Sequence, residues 1–340
     1  MKLLIYVPLL TPRIKYIFNF IFNDILKTEV GFSVNIEEFT QSALPKFCYA
    51  SQPIGGELFF KSTNLLFEHK ITSQQIRTTT FGDNKVPFAV EKSTLPFDVF
   101  AASFYFLSRY EEYLRSTQEN SPYTSTQSLQ YHLGLLKFPV IDGWALLLKN
   151  ILLKQFPALS FGPREFSFNP IYVLPENTAK NTNPIARTAS YFKSLIRRIT
   201  TNEPEKLALV HQLIVQMQQE GFIKAPQTFI SPANAAHHSD AQMQLPKTYI
   251  RLIKNNIGND YSMYYSNQAG FRAGTCSPFP WYDLQLEQTT RLTIHPVAAT
   301  DLGLINNKTT EALLLQVNEL LDGVKLVNGH FYFLSLCNDI

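Results

Sequence analysis

The stretch Gly270 to Asp301, GFRAGTCSPFPWYDLQLEQTTRLTIHPVAATD, limits the fold more than any other part of the chain. Its opening, GFRAGTCSPFP, carries two glycines and two prolines and reads as a loop. Near its end, RLTIHPV alternates Leu292 and Ile294 with Thr293 and His295, the pattern of a strand, and Pro296 is expected to end that strand. Polar groups on a strand end beside a loop are how α/β folds assemble sites. Arg272, His295 and Asp301 are therefore the first candidate site residues. Arg272 sits in a loop that fixes its backbone and can grip a carboxylate, Asp283 or Asp301, through both nitrogens. A structural bridge that ties the loop to the sheet is the competing role. His295 suits a general acid, or a histidine held by a structural hydrogen bond.

The rest of the chain alternates strands and helices. Leu3 to Val7 reads as a buried strand, followed by a helix from Pro12 with Ile14, Ile17, Phe18, Ile21, Phe22 and Ile25 on one face. Strands follow at Lys46 to Tyr49 and Glu57 to Phe60. PFDVFAASFYFLSRYEEYL predicts a helix with Phe100, Phe104, Leu107, Tyr110 and Leu114 in line, and Arg109 and Glu112 spaced for a solvated ion pair. Arg115 to Gln130 reads as a surface loop, and Gly143 to Gln155 as a helix. Beyond a boundary placed at Gly162-Pro163 come a strand over Phe166 to Leu174, helices over Thr188 to Ile199 and Glu203 to Glu220, and a strand over Ala225 to Ile230. A helix over Pro246 to Asn255, a strand over Tyr261 to Tyr265, a helix over Thr309 to Leu321 ending before Gly323, and a strand over His330 to Leu336 complete it. This is an α/β protein, with an N-terminal α/β domain over 1–162 and a largely parallel sheet or barrel over 163–340.

Composition narrows the function. A chain of 340 residues with 45% apolar and 17% charged residues is globular, and a net charge of +3 without a basic cluster argues against nucleic acid as a partner. Cys48, Cys276 and Cys337 stand far apart and fit a reducing compartment. The start, MKLLIYVPLLTPR, is too short in its apolar run for a signal peptide, and Asn19, Asn23 and Asp24 interrupt the next one, so the expectation is a cytoplasmic protein with no membrane span. GxGxxG, GxxxxGK[ST], GxSxG and HExxH are absent. His237 and His238 are adjacent, so on an extended chain they face opposite ways and make a poor metal pair.

PFDVFAASFYFLSRYEEYL, the Phe156-Pro157 pair, DYSMYYSNQAGFRAGTCSPFPWYDL and TRLTIHPVAATDLGL resemble a bacterial family of polysaccharide deacetylase-like proteins. In that family a domain of unknown function precedes a NodB-type carbohydrate esterase domain. The resemblance implies an irregular (β/α) barrel of the polysaccharide deacetylase type, here incomplete, and metal-assisted removal of acetyl groups from N-acetylated sugars. It places Arg272 on the arginine that orients the catalytic base, and His295 on a late histidine that acts as acid. The metal half departs from the pattern: Val173 and Pro175 stand at the base and metal positions, Ser231 replaces a histidine, and Cys337 stands in the closing Trp-His-Asn.

Without those ligands no metal or other cofactor is expected, and the leading reading is a catalytically inactive, deacetylase-like protein of an envelope polysaccharide pathway that binds a polysaccharide or a protein of that pathway. Trp281, Tyr282 and Asp283 are the candidate sugar contacts, with Tyr264 and Tyr265 as further aromatic surfaces. Two alternatives stand beside it. One is an active N-deacetylase whose divalent metal, such as zinc, is held by relocated ligands among His237, His238, Asp240 and Asp301. The other is a purely structural partner of an active homologue.

Overall fold

The computed structural model describes residues 2–115, 121–173, 204–223, 228–230, 235–238, 243–301 and 309–335. The chain opens with β1 (Leu3–Tyr6), fully buried, and α1 (Pro12–Phe18), whose N-cap Thr11 accepts from the Ile14 amide just ahead of the preset turn of Pro12. The helix runs on as a π-helical segment, Asn19–Ile25, that keeps Phe20, Ile21, Phe22 and Ile25 inward. Then follow β2 (Val30–Ser33), α2 (Ile36–Gln41), β3 (Lys46–Ala50) and β4 (Leu58–Lys61). These strands form an all-parallel sheet in the order β2-β1-β3-β4. A hairpin of β5 (Thr78–Phe81) and β6 (Asn84–Pro87) comes next.

The predicted long helix is split in two. α3 (Val99–Leu107) is buried all round and capped by Asp98, and α4 (Tyr110–Tyr113) restarts after Arg109, which stands in the left-handed region at φ 55. The break turns the Arg109 side chain into the interior instead of letting it continue a solvated face. The segment expected to be a surface loop carries α5 (Leu129–His132) and buries Ser125, Ser128 and Gln130. α6 (Val140–Gln155) follows.

The second sheet contains β7 (Ser167–Val173), β8 (Thr228–Ile230), β9 (Asn259–Met263), β10 (Phe279–Asp283), β11 (Gln288–Thr300) and β12 (His330–Ser335). Its order is β10-β11-β12-β7-β8, with β9 also on β11, and only β10 runs antiparallel. Among the described residues three helices accompany it: α7 (Pro204–Gln219), α8 (Lys247–Lys254) and α9 (Thr310–Leu326). Pro296 does not end β11: the register shifts between Ile294 and Pro296 and again between Val297 and Ala299, so the proline sits at a bulge where no ladder bond is asked of it. The shifts let one long strand serve β10 and β9 first and β12 later, and the sheet curls into a half-barrel. α9 runs through Gly323 because Val324 must still reach the core.

One face of this sheet, with Phe168, Phe331 and Phe333, packs on Leu320, Leu321 and Val324 of α9. The largest core joins the N-terminal sheet and α3 to Tyr249, Trp281, Leu292 and Ile294, so residues on both sides of Gly162-Pro163 share one interior. The mixed α/β class and the parallel sheet agree with the sequence reading. The predicted helix over Thr188 to Ile199 lies outside the described residues, and none of the described helices is long and apolar enough to cross a membrane.

Candidate functional site

The loop that opens the Gly270–Asp301 stretch is held from the N-terminal half of the chain by two carboxylates. The first is Glu112, in α4. Arg272 donates from Nε to Glu112 Oε1 at 3.0 Å and from Nη2 to Oε2 at 2.8 Å, and its Nη1 donates to the Tyr264 carbonyl at 2.9 Å. Arg109 reaches the same carboxylate from the other side at 2.8 Å, and donates also to Gln130, to the Tyr265 hydroxyl and to the Arg272 carbonyl. Burial alone would raise the Glu112 carboxyl, but the charges of Arg272 and Arg109 outweigh it and hold it below the usual carboxylate range. Neither arginine is exposed. The partner of Arg272 is thus Glu112, not Asp283 or Asp301, and the Arg109–Glu112 pair is buried rather than solvated.

The second carboxylate is Asp142 of α6. It accepts from the hydroxyls of Thr275 and Ser277, both at 2.6 Å, from the Cys276 amide at 3.0 Å and from Arg164 Nη2 at 2.8 Å. The Cys276 thiol beside it is pushed well up by burial first and by Asp142 second, which fits a packing thiol and not a nucleophile.

The other candidates are not gathered around Arg272. His295, in β11, is hydrogen-bonded through Nε2 to Asn259 Oδ1 at 2.9 Å and stacked on Tyr261 at 4.4 Å, with no partner at Nδ1 among the described residues. Burial, with a smaller contribution from His330, pushes its pKa down to about 4, so the ring is neutral near pH 7. Asp301 accepts from Ser335 at 3.0 Å and is buried.

The proposed sugar contacts are core residues. Trp281 packs edge-on against Tyr249, Tyr282 lies against Tyr16 and Phe104 with its hydroxyl on Glu287, and Asp283 accepts from the Gln285 and Leu286 amides of the following turn. Being 3%, 0% and 2% exposed, they offer no ring or carboxylate to a ligand. Tyr264 and Tyr265 are equally buried. His237 bonds the Tyr264 hydroxyl at 2.7 Å, and His238 faces Arg251 at 3.1 Å. Among the described residues no three His, Cys, Asp or Glu side chains could hold a metal. Val173 is the last residue of β7, whereas Pro175, Ser231, Asp240 and Cys337 lie outside the described residues.

A space that a ligand could enter lies elsewhere, at the N-terminal ends of β7 and β12. There a cleft of about 820 Å³ is walled by Lys27, Arg164, Ser167, Asn169, His330 and Tyr332, with Asp24, Ser277 and Pro278 to Pro280 among its other lining residues. Its volume suits a ligand of a few rings. The sheet alternation produces it: Phe168, Phe331 and Phe333 point into the core, so Ser167, Asn169, His330 and Tyr332 point the other way. Period-two reading of FSFNPIYVL and HFYFL carries that signal, but the polar residues on the second face resemble an ordinary solvated face until the half-barrel and the π-helical end bring walls around them.

Comparison with known proteins reaches the first half of the chain. No curated protein and no solved structure matches it. Residues 3–157 match the model of a family of unknown function (DUF7033), which agrees with an N-terminal domain of unknown function ahead of the second sheet.

Proposed function

We propose that this chain is a non-catalytic, deacetylase-like protein whose half-barrel is the remainder of a deacetylase-type (β/α) barrel, and that it binds a saccharide in the cleft at the start of β7 and β12. The observation that carries this reading is the state of Arg272. The arginine expected to orient a catalytic base gives Nε and Nη2 to Glu112 and Nη1 to a carbonyl and is fully buried, so neither a base nor a substrate reaches its remaining N–H groups. His295, expected as the acid, is tied to Asn259 and needs a pH near 4 to gain a proton. The cleft combines hydroxyl, amide and imidazole groups with the ring of Tyr332, the mixture that holds a polyhydroxylated ligand against an aromatic face. A polysaccharide of the cell envelope, the pathway that the sequence resemblance suggests, is the ligand class to try first.

The test pairs chemistry with binding. Protein purified without chelator should release no acetate from N-acetylated oligosaccharides and hold no stoichiometric zinc, while oligosaccharides should bind wild type and bind Tyr332→Ala about tenfold more weakly. Arg272→Ala should lose stability, by about 2–3 kcal/mol, because it takes from the buried Glu112 one of its two guanidinium partners. Acetate release together with bound zinc would replace this reading with an active metal enzyme. Absence of any saccharide binding would leave the role of a structural partner.

A further inference from the structure

The cleft contains a hydrogen-bonded chain of Asn169, Ser167 and His330. The Asn169 amide nitrogen donates to the Ser167 carbonyl at 3.3 Å and to the Ser167 hydroxyl oxygen at 2.9 Å. A carbonyl only accepts, so the amide orientation is settled, and the Ser167 oxygen receives a hydrogen from it. With that lone pair taken, the Ser167 hydroxyl is free to turn its hydrogen to its other partner, His330 Nδ1, at 2.7 Å, and this is the direction we assign. An imidazole that accepts at Nδ1 carries its proton at Nε2, the ring edge left for the cleft. Burial, Arg164 and Lys27 all lower the pKa of His330, against an opposing effect of Asp142, so the ring stays neutral and the direction holds near neutral pH. Asn169, Ser167 and His330 form a one-way chain of donors, each polarising the next.

Two cations, Lys27 and Arg164, and two carboxylates, Asp24 and Glu165, line the cleft around the end of that chain. Asp142 is satisfied by four donors, Arg164 among them, and the Nη1 of Arg164 has no partner among the described residues. Lys27 lines the same cleft. Burial raises the Asp24 carboxyl while the charge of nearby Lys27 lowers it, and Glu165, the other acid on the lining, already has a partner. We propose that the cleft takes an acidic saccharide and reads its carboxylate with the Nε2–H of His330, positioned by Ser167 and Asn169, beside the ammonium of Lys27. This rests on the saccharide-binding reading above and adds to it the class of sugar and the residue that selects it.

Calorimetric titration with trigalacturonate and with its fully methyl-esterified form tests it, since esterification removes the charge and keeps the ring size. The acid form should bind about tenfold or more tightly than the ester, the worth of one hydrogen bond to a charged group. His330→Phe and Lys27→Gln should each weaken binding of the acid form about tenfold more than binding of the ester. Independently of any ligand, the ¹⁵N shifts of the His330 ring should show the proton on Nε2, and Ser167→Ala should shift it toward Nδ1. A ring protonated at Nδ1 in wild type overturns the proposal. So does equal affinity for acid and ester, and if Tyr332→Ala then still weakens both, the broader saccharide reading survives. Failure of both probes to bind overturns both.

Discussion

At the scale of single residues, the chain places titratable groups where water cannot reach them and settles each by a different device. Glu112 has two guanidinium partners, whereas Asp260 has only neutral ones: it accepts from Ser262 through the hydroxyl at 2.6 Å and the amide at 3.0 Å, and from the Tyr249 hydroxyl at 3.0 Å. Burial therefore wins and pushes Asp260 up to about 6, from an ordinary 3.8. His295 is the mirror case, pushed from 6.5 down to about 4. Their linkages to folding run in opposite directions. The contribution of Asp260 is fully present below pH 4 and is lost as pH rises through 6. That of His295 is present above pH 6.5 and is lost as pH falls through 4. Across that window the two oppose each other, each on the order of 2 kcal/mol. Urea unfolding between pH 4 and 7 should show it as differences from wild type. His295→Gln should gain relative stability as the pH falls, and Asp260→Asn as the pH rises. Parallel pH profiles for wild type and both variants would contradict the burial of these groups.

At the scale of elements, what could be read from the chain was periodicity, and what could not was where tertiary contacts interrupt it. The alternation in RLTIHPV and the apolar face after Pro12 locate β11 and α1, which satisfy their own local preferences, although β11 runs on past Pro296 and the helix turns π-helical after Phe18. The pattern of SRYEEYL continues a helix. The left-handed turn at Arg109 exists only because Glu112, Gln130 and the Arg272 carbonyl wait for its side chain, and nothing local announces them. The site suffered likewise: Arg272 is visible as an arginine in a rigid loop, but its partner lies far away in sequence, and the aromatic pair Trp281-Tyr282 cannot be told from a binding face until Tyr249 packs on the one and Tyr16 and Phe104 on the other. The same loop supplies a test. Gly270 has φ +151, and a Cβ there would lie 2.7 Å from the Leu136 carbonyl oxygen, while Gly82, at φ +59 in the β5–β6 hairpin, would meet nothing within 4 Å. Gly82→Ala should cost about 1 kcal/mol, the strain of the left-handed region alone. Gly270→Ala should cost about 2 kcal/mol more, because the displaced loop carries Arg272 and Thr275 away from their carboxylates. Thermal denaturation of the two variants side by side decides this, and equal losses would mean that the loop yields without disturbing its anchors.

At the scale of the molecule, the segment that matches a family of unknown function acts as a clamp on the half-barrel. Its α4 supplies Glu112 to Arg272, its α6 supplies Asp142 to Thr275, Ser277 and Arg164, and Arg13 near its start donates to Glu287 beyond β10 at 2.5 Å. In each pair one partner stands before Gly162 and the other after it. Cutting there would leave Arg272, with no exposure in the intact chain, as an unpaired guanidinium in apolar surroundings, a loss of several kcal/mol at each such site. It would also open the shared interior, in which Phe18, Phe47 and Phe100 belong to the same packed cluster as Trp281, Tyr282 and Ile294. The two sides of Gly162-Pro163 are therefore expected to fold together. Residues 163–340 expressed alone should give no cooperative unfolding transition, and residues 1–162 should be insoluble or bind a dye for exposed apolar surface. Co-expression should recover a complex that elutes together and unfolds in one transition, as the intact chain should. A C-terminal fragment that folds alone with a sharp transition would show that the half-barrel is self-sufficient and that its buried arginine finds another partner.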